Sequence, residues 1–159
     1  MNLVYEVATK EDIPILTDIM TRTFDDDTQK HLGEPKGGPP GYDTGEFFHQ
    51  WMVGRKESTW YKIILDEKVI GAFIVFIFDH GNNCLGTIFI DPEYQDKGIG
   101  SKTWRYIEEN YPETKSWILD TPEWAKRNHH FYEKKCGFKK INERPEEGVG
   151  KLFIFKKEY

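Results

Sequence analysis

Residues 85–109 read LGTIFIDPEYQDKGIGSKTWRYIEE. Leu85 to Ile90 is apolar and of strand length, and Gln95-Asp96-Lys97-Gly98-Ile99-Gly100 follows it closely. From Ile99 the pattern changes to helical spacing, with Trp104, Ile107 and Tyr111 on one face, and Pro112 ends the run. A glycine turn that opens directly into a helix leaves backbone N–H groups without partners at the positive end of the helix dipole. Such a turn suits phosphate groups. Gly98 and Gly100 let the backbone approach a phosphate with no Cβ in the way, and Lys97 adds a positive charge. Taken alone, Gly-x-Gly also fits a tight turn that binds nothing. Gly100-Ser101-Lys102 has the wrong order for a Walker loop. Thr103 stands where a dinucleotide fingerprint needs a small residue.

The elements on either side can be read outward from this segment. Upstream, Trp60–Leu65, Val69–Phe78 and Leu85–Ile90 read as three strands joined by turns too short for a crossover, hence antiparallel neighbours. Glu46–Arg55 reads as a short amphipathic helix carrying Phe47, Phe48, Trp51 and Met52. Asp25–Thr44, with four glycines and two adjacent prolines, reads as a long loop. A first helix carries Ile13, Leu16, Ile19, Met20 and Phe24 at helical spacing, with Thr9 and Asp12 as a capping box and Pro14 in its first turn. Asn2–Ala8 alternates as a strand. Downstream, Trp117–Leu119 is a short strand and Glu123–Lys135 a helix ended by Gly137. Phe138–Ile141 and Leu152–Phe155 make a closing hairpin.

At 159 residues the chain is expected to be a single domain over 1–159. Its 38% hydrophobic and 31% charged residues are globular in kind, and no run approaches a membrane span. MNLVYEVATK lacks a secretory pattern, and two cysteines do not make a disulfide framework, so a cytoplasmic protein is expected. A net charge of −5 argues against a general nucleic-acid binder. The charge is uneven. Residues 1–96 hold 8 Lys/Arg and 17 Asp/Glu (−9), and residues 97–159 hold 14 and 10 (+4). An anionic ligand on one side and a cationic one on the other would suit that division, as would plain solvated surface.

A second informative segment is Phe131-Tyr132-Glu133-Lys134-Lys135-Cys136-Gly137-Phe138. Together with Ile90-Asp91-Pro92 and Gln95–Gly100 it resembles the GNAT superfamily of acyl-CoA-dependent N-acetyltransferases. Those proteins carry Gln/Arg-x-x-Gly-x-Gly/Ala after such a strand and Phe-Tyr-x-x-x-Gly-Phe downstream. The resemblance implies an α/β (α+β) fold: a mixed, mostly antiparallel sheet of about seven strands, flanked by about four helices. The fourth and fifth strands would splay apart. It implies acetyl-CoA as co-substrate and no metal. Ile88, Phe89 and Ile90 would offer backbone groups to the pantetheine arm. Gln95 begins the loop, and Asp96, Lys97, Gly98, Ile99, Gly100 and Ser101 would cradle the pyrophosphate. The family often has an Asn where Ala125 stands; Asn128 lies one helical turn before Tyr132 and shares its face, so it is the alternative cofactor contact.

The resemblance further implies an N-acetyltransferase acting on a primary amine of a small molecule or peptide. Tyr132 matches the tyrosine that protonates the departing sulfur. Asp120 is the leading candidate for the base, although Pro122 nearby also suits a capping role. Asp79, His80, Asp91 and a water chain are the other options. The acids and aromatics from Phe24 to Trp51 would suit a cationic acceptor, or simply cover ordinary core. No membrane partner is expected, and a homodimer remains open. His129 and His130 are adjacent and cannot share a metal, and Cys136 reads as a small buried residue. The alternative function is a non-catalytic acyl-CoA sensor or interaction domain on the same fold.

Overall fold

A computed structural model describes residues 1–159. Seven strands make one sheet: β1 (Leu3–Val7), β2 (Ser58–Leu65), β3 (Lys68–Phe76), β4 (Asn82–Ile90), β5 (Ser116–Pro122), β6 (Lys139–Glu146) and β7 (Gly150–Glu158). Their spatial order is β1-β2-β3-β4-β5-β7-β6, and only the β4–β5 pair is parallel. The helices are α1 (Ile13–Leu32), α2 (Glu46–Met52), α3 (Ile99–Asn110) and α4 (Lys126–His130). Asp66 and Glu67, both at positive φ, form the two-residue turn between β2 and β3, which matches the right-handed twist of a hairpin.

The helices divide between the two faces of the sheet. Leu16, Ile19 and Met20 of α1 and Phe48 of α2 pack on Trp60 and Ile74. On the other face, Ile99, Trp104 and Ile107 of α3 join Tyr132 and Phe138 over Phe73, Trp117 and Phe155. β3 is covered on both sides, which is why Ile70 to Val75 is a continuous buried run rather than an alternating one.

Three sequence expectations change. The first helix does not stop at Phe24; α1 runs to Leu32 and ends on Gly33 in the left-handed conformation. Asp25, Asp26 and Asp27 are therefore helical, not part of a loop. Asp26 pairs with Lys30 one turn on, and buried Thr28 donates to the Gly37 carbonyl, so polar contacts carry this end of the helix. Second, the expected helix Glu123–Lys135 is a turn, then α4, then a π-helical turn over Phe131–Lys135. Third, the closing hairpin is longer than its apolar residues suggest. Every residue of β6 is exposed, so alternation could not mark it.

The feature that positions the site is the parting of β4 from β5. Only Asn82, Asn83 and Cys84 pair with β5, opposite Ser116, Trp117 and Ile118. The register between β3 and β4 then skips Gly86, a bulge where an added Cβ would lie 2.5 Å from Ile74 Cγ2. A bulge bends its strand. Beyond it, β4 continues to Ile90 without β5 beside it.

Candidate active site

A cavity of about 480 Å³ opens beside the stretch of β4 that runs on without β5. Ile88, Phe89 and Ile90 of β4 form one wall, and Thr23 and Asp27 of α1 another. Asp96 and Gly98 to Ser101 close one end. Arg127 and Asn128 of α4, with Phe131 and Tyr132 of the π turn, complete it.

The loop end is built from backbone. Asp96 has φ 60° and Gly98 φ 79°, so two residues adopt the left-handed conformation within three positions. The first helical hydrogen bond of α3 runs from the Lys102 amide to the Gly98 carbonyl at 3.2 Å. The amides of Ile99, Gly100 and Ser101 thus lie ahead of any intrahelical acceptor. Concave runs of such amides favour anions. A Cβ at Gly98 would meet no heavy atom within 4 Å, so the space beside it is open. Gly100 has a different constraint: a Cβ there would lie 3.1 Å from Phe131, whose ring packs over the start of the helix.

Side chains fix this loop to its surroundings. Gln95 Nε2 donates to the Ile90 carbonyl at 2.8 Å, stapling the turn to the end of β4. Asp91 is buried, receives Arg22 Nη1 at 2.7 Å, and accepts the Glu93 amide at 3.1 Å. Arg127 Nη2 donates to Asp96 Oδ1 at 2.9 Å, joining α4 to the loop across the cavity mouth.

Tyr132 sits within the π turn, whose defining bond joins the Cys136 amide to the Phe131 carbonyl at 3.2 Å. Such turns are rare and cluster at functional sites. The Tyr132 ring is held among Phe131, Phe138 and Phe155. Burial pushes its hydroxyl pKa well above the ordinary value, and Cys136, Asp120 and Asp27 push the same way. The phenol therefore stays protonated through any neutral assay. Asn128 Nδ2 reaches Thr121 Oγ1 at 3.5 Å while facing the cavity.

The structure brings most of the expected residues together and leaves two apart. Ile88, Phe89, Ile90, Gln95, Asp96, Gly98, Ile99, Gly100, Ser101, Asn128 and Tyr132 all line the cavity. Lys97 is exposed and does not. Asp120 does not either; its Oδ2 accepts Arg144 Nη2 at 3.1 Å, although its charge reaches Tyr132. Seven lining residues were not among the expected site residues: Thr23, Asp27, Tyr94, Arg127, His130, Phe131 and Lys135. Arg127, Phe131 and Lys135 lie at i, i+4 spacing, a signal present in the sequence. Thr23 and Asp27 have the same spacing, but only if the first helix continues. His129 is structural, bonding the Pro122 carbonyl and stacking on Phe153, and burial lowers its pKa. Burial pushes the Cys136 thiol up to about 12, which removes it as a nucleophile.

The sequence model of the acetyltransferase (GNAT) family matches residues 17–138. The uncharacterized protein YrkN of Bacillus subtilis (strain 168) is 32% identical over 137 residues, covering 86% of this chain and 72% of that protein. The PaiA N-acetyltransferase of Thermoplasma acidophilum, solved in complex with coenzyme A, superposes with a TM-score of 0.77 at 19% identity over the full length of both chains. The spermidine N-acetyltransferase of Vibrio cholerae, solved with CoA and spermine, does so with a TM-score of 0.70 at 16% identity, covering 98% of this chain and 95% of that one. At these identities the two structures show a shared fold.

Proposed function

The chain belongs to the acetyltransferase (GNAT) family, and on that footing we propose that it transfers an acetyl group from acetyl-CoA to a primary amine. The observation that carries this is the run of uncommitted amides from Ile99 to Ser101 opening on the same cavity as Tyr132. The amides and the left-handed Gly98 would receive the pyrophosphate of acetyl-CoA. The β4 edge at Ile88–Ile90, free of β5, would run beside the pantetheine arm. Arg127 and Lys135 add positive charge to the same wall. Both coenzyme-bound neighbours are acetyltransferases of this fold, and one of them holds a polyamine.

In this reading the amine attacks the thioester carbonyl, and oxygen charge develops near backbone donors of the β4 edge. The carbon–sulfur bond breaks and Tyr132 supplies the proton that the sulfur takes up. Burial keeps Tyr132 protonated before the step and also makes it a weak acid, so its proton moves only as negative charge builds on the departing sulfur.

The test is release of free CoA thiol from acetyl-CoA across primary amines: polyamines, amino sugars, amino acids and peptide N-termini. Amine-dependent release supports the reading. Tight acetyl-CoA binding with no turnover on any amine would assign a sensor instead.

A further inference from the structure

Resting on the acetyltransferase reading, we propose that Asp27 is the group that takes the proton from the acceptor ammonium. The three consecutive acids of α1 have different fates. Asp25 Oδ1 accepts the Tyr42 hydroxyl at 2.6 Å and the Gly37 amide at 3.1 Å. Asp26 pairs with Lys30 at 2.8 Å. Asp27 alone faces the cavity, one turn after Thr23 and on the same wall. The cavity's other carboxylate, Asp96, is bound to Arg127, and Asp120 is bound to Arg144 outside it. Asp27 has no ion-pair partner, so it is the uncommitted carboxylate among these; Tyr132 lies within electrostatic reach of both Asp27 and Asp120, but only Asp27 lines the cavity.

Its surroundings suit a proton acceptor. Burial raises the Asp27 pKa; Asp26 adds to this, while His31 and Lys30 on α1 and Arg127 on α4 oppose it. Tyr94, Asp96, His130, Tyr132 and Lys135 are the other titratable groups of the cavity wall. A desolvated carboxylate attracts an ammonium and binds its proton more firmly than an exposed one. The protons then balance. The acceptor R–NH₃⁺ gives one proton to Asp27, and its freed lone pair forms the N–C bond to the thioester carbon. The C–S bond breaks with its electrons on sulfur, which takes the Tyr132 proton. The second proton lost by nitrogen restores the tyrosine, and Asp27 releases its own to solvent.

The experiment compares wild type, Asp27→Asn and Asp27→Glu on two kinds of acceptor. One is the best alkylamine of the panel, starting with 1,4-diaminobutane, which is an ammonium at pH 7. The other is methoxyamine, which is neutral there. Asp27→Asn should lower kcat on the alkylamine by about 100-fold, within the range for general base catalysis, and reduce methoxyamine turnover far less. Acetyl-CoA affinity by calorimetry should hold, and Asp27→Glu should recover part of the loss. The alkylamine kcat/KM of Asp27→Asn should climb with pH until the free amine predominates. Equal losses on both acceptors, a change confined to KM, or kcat within threefold of wild type would overturn the assignment. If the wild type turns over no amine while binding acetyl-CoA, the acetyltransferase reading falls first and Asp27 falls with it.

Discussion

Gly98→Asp should abolish most acetyl-CoA binding while leaving the fold intact, and the structure allows the size of the effect to be worked out. Gly98 has φ 79°, a conformation that costs an L-residue about 1 kcal/mol and that Asp and Asn tolerate best. No heavy atom lies within 4 Å of a Cβ placed there, so the side chain enters open space rather than the core. The free protein should therefore lose about 1 kcal/mol of stability and no more. The same open space is where the pyrophosphate would sit against the amides of Ile99 to Ser101. A carboxylate about 5 Å from one phosphate charge, at an effective dielectric constant of about 20, costs about 3 kcal/mol. That corresponds to about 100-fold in affinity, and screening over about 8–10 Å at physiological salt brings it toward tenfold.

Calorimetric titration with acetyl-CoA at two ionic strengths reads this directly, with Gly98→Asn as the partner variant. Asn has the same shape and the same tolerance of positive φ but no charge. The two variants should lose similar stability, and the Asp variant should bind at least tenfold more weakly than the Asn variant, with the gap narrowing as salt rises. Equal affinities for both variants and wild type would refute the loop as the pyrophosphate site.

Tyr132→Phe should keep acetyl-CoA affinity and lower kcat by about 10²–10⁴-fold, the usual worth of a general acid; single-turnover kinetics on the best amine checks it, and a loss under threefold would leave the tyrosine a packing residue. Asp91→Ala should cost about 1–2 kcal/mol in chemical denaturation, because the Glu93 amide loses its acceptor and Arg22 loses its buried partner while keeping Asp18. Asp27→Asn should raise the melting temperature at pH 7. The folded-state pKa of Asp27 is raised, so the folded chain binds its proton more tightly than the unfolded one, and wild-type stability falls as pH rises through that window. The advantage of Asn should shrink below pH 4, where Asp27 is neutral in both states; thermal melts across pH test this sign.

The glycine turn was legible because its information is local. Gln95, Gly98 and Gly100 act through backbone conformation within a few residues, and the neighbouring strand and helix announce themselves by periodicity. The same holds for β2 and β4, whose buried positions largely follow the pleat, and for β3, a continuous apolar run of strand length. The split between β4 and β5 was not written in periodicity. It follows from three pairs of parallel register and a bulge at Gly86, and came into view only through family resemblance. β6 was read only as far as Ile141 because its eight residues are all exposed, joined to β7 by pairs such as Glu143 with Lys151 rather than by an apolar face.

The candidate base shows where local reading stops. Asp120 looked suitable from its place at a strand end before Tyr132. What the spacing does not show is its partner Arg144, from a strand that does not even adjoin β5 but lies beyond β7. No pattern of spacing reports that pairing. Asp27 looked like one of three loop acids, because nothing apolar after Phe24 keeps helical time. Once α1 is seen to continue to Leu32, its three acids point in three directions at about 100° intervals. Only one of those directions meets the cavity. A single unrecognised helical extension thus converted a cavity carboxylate into apparent surface charge. The net −9 of the first 96 residues is a weaker guide to acceptor charge than the one desolvated acid it contains.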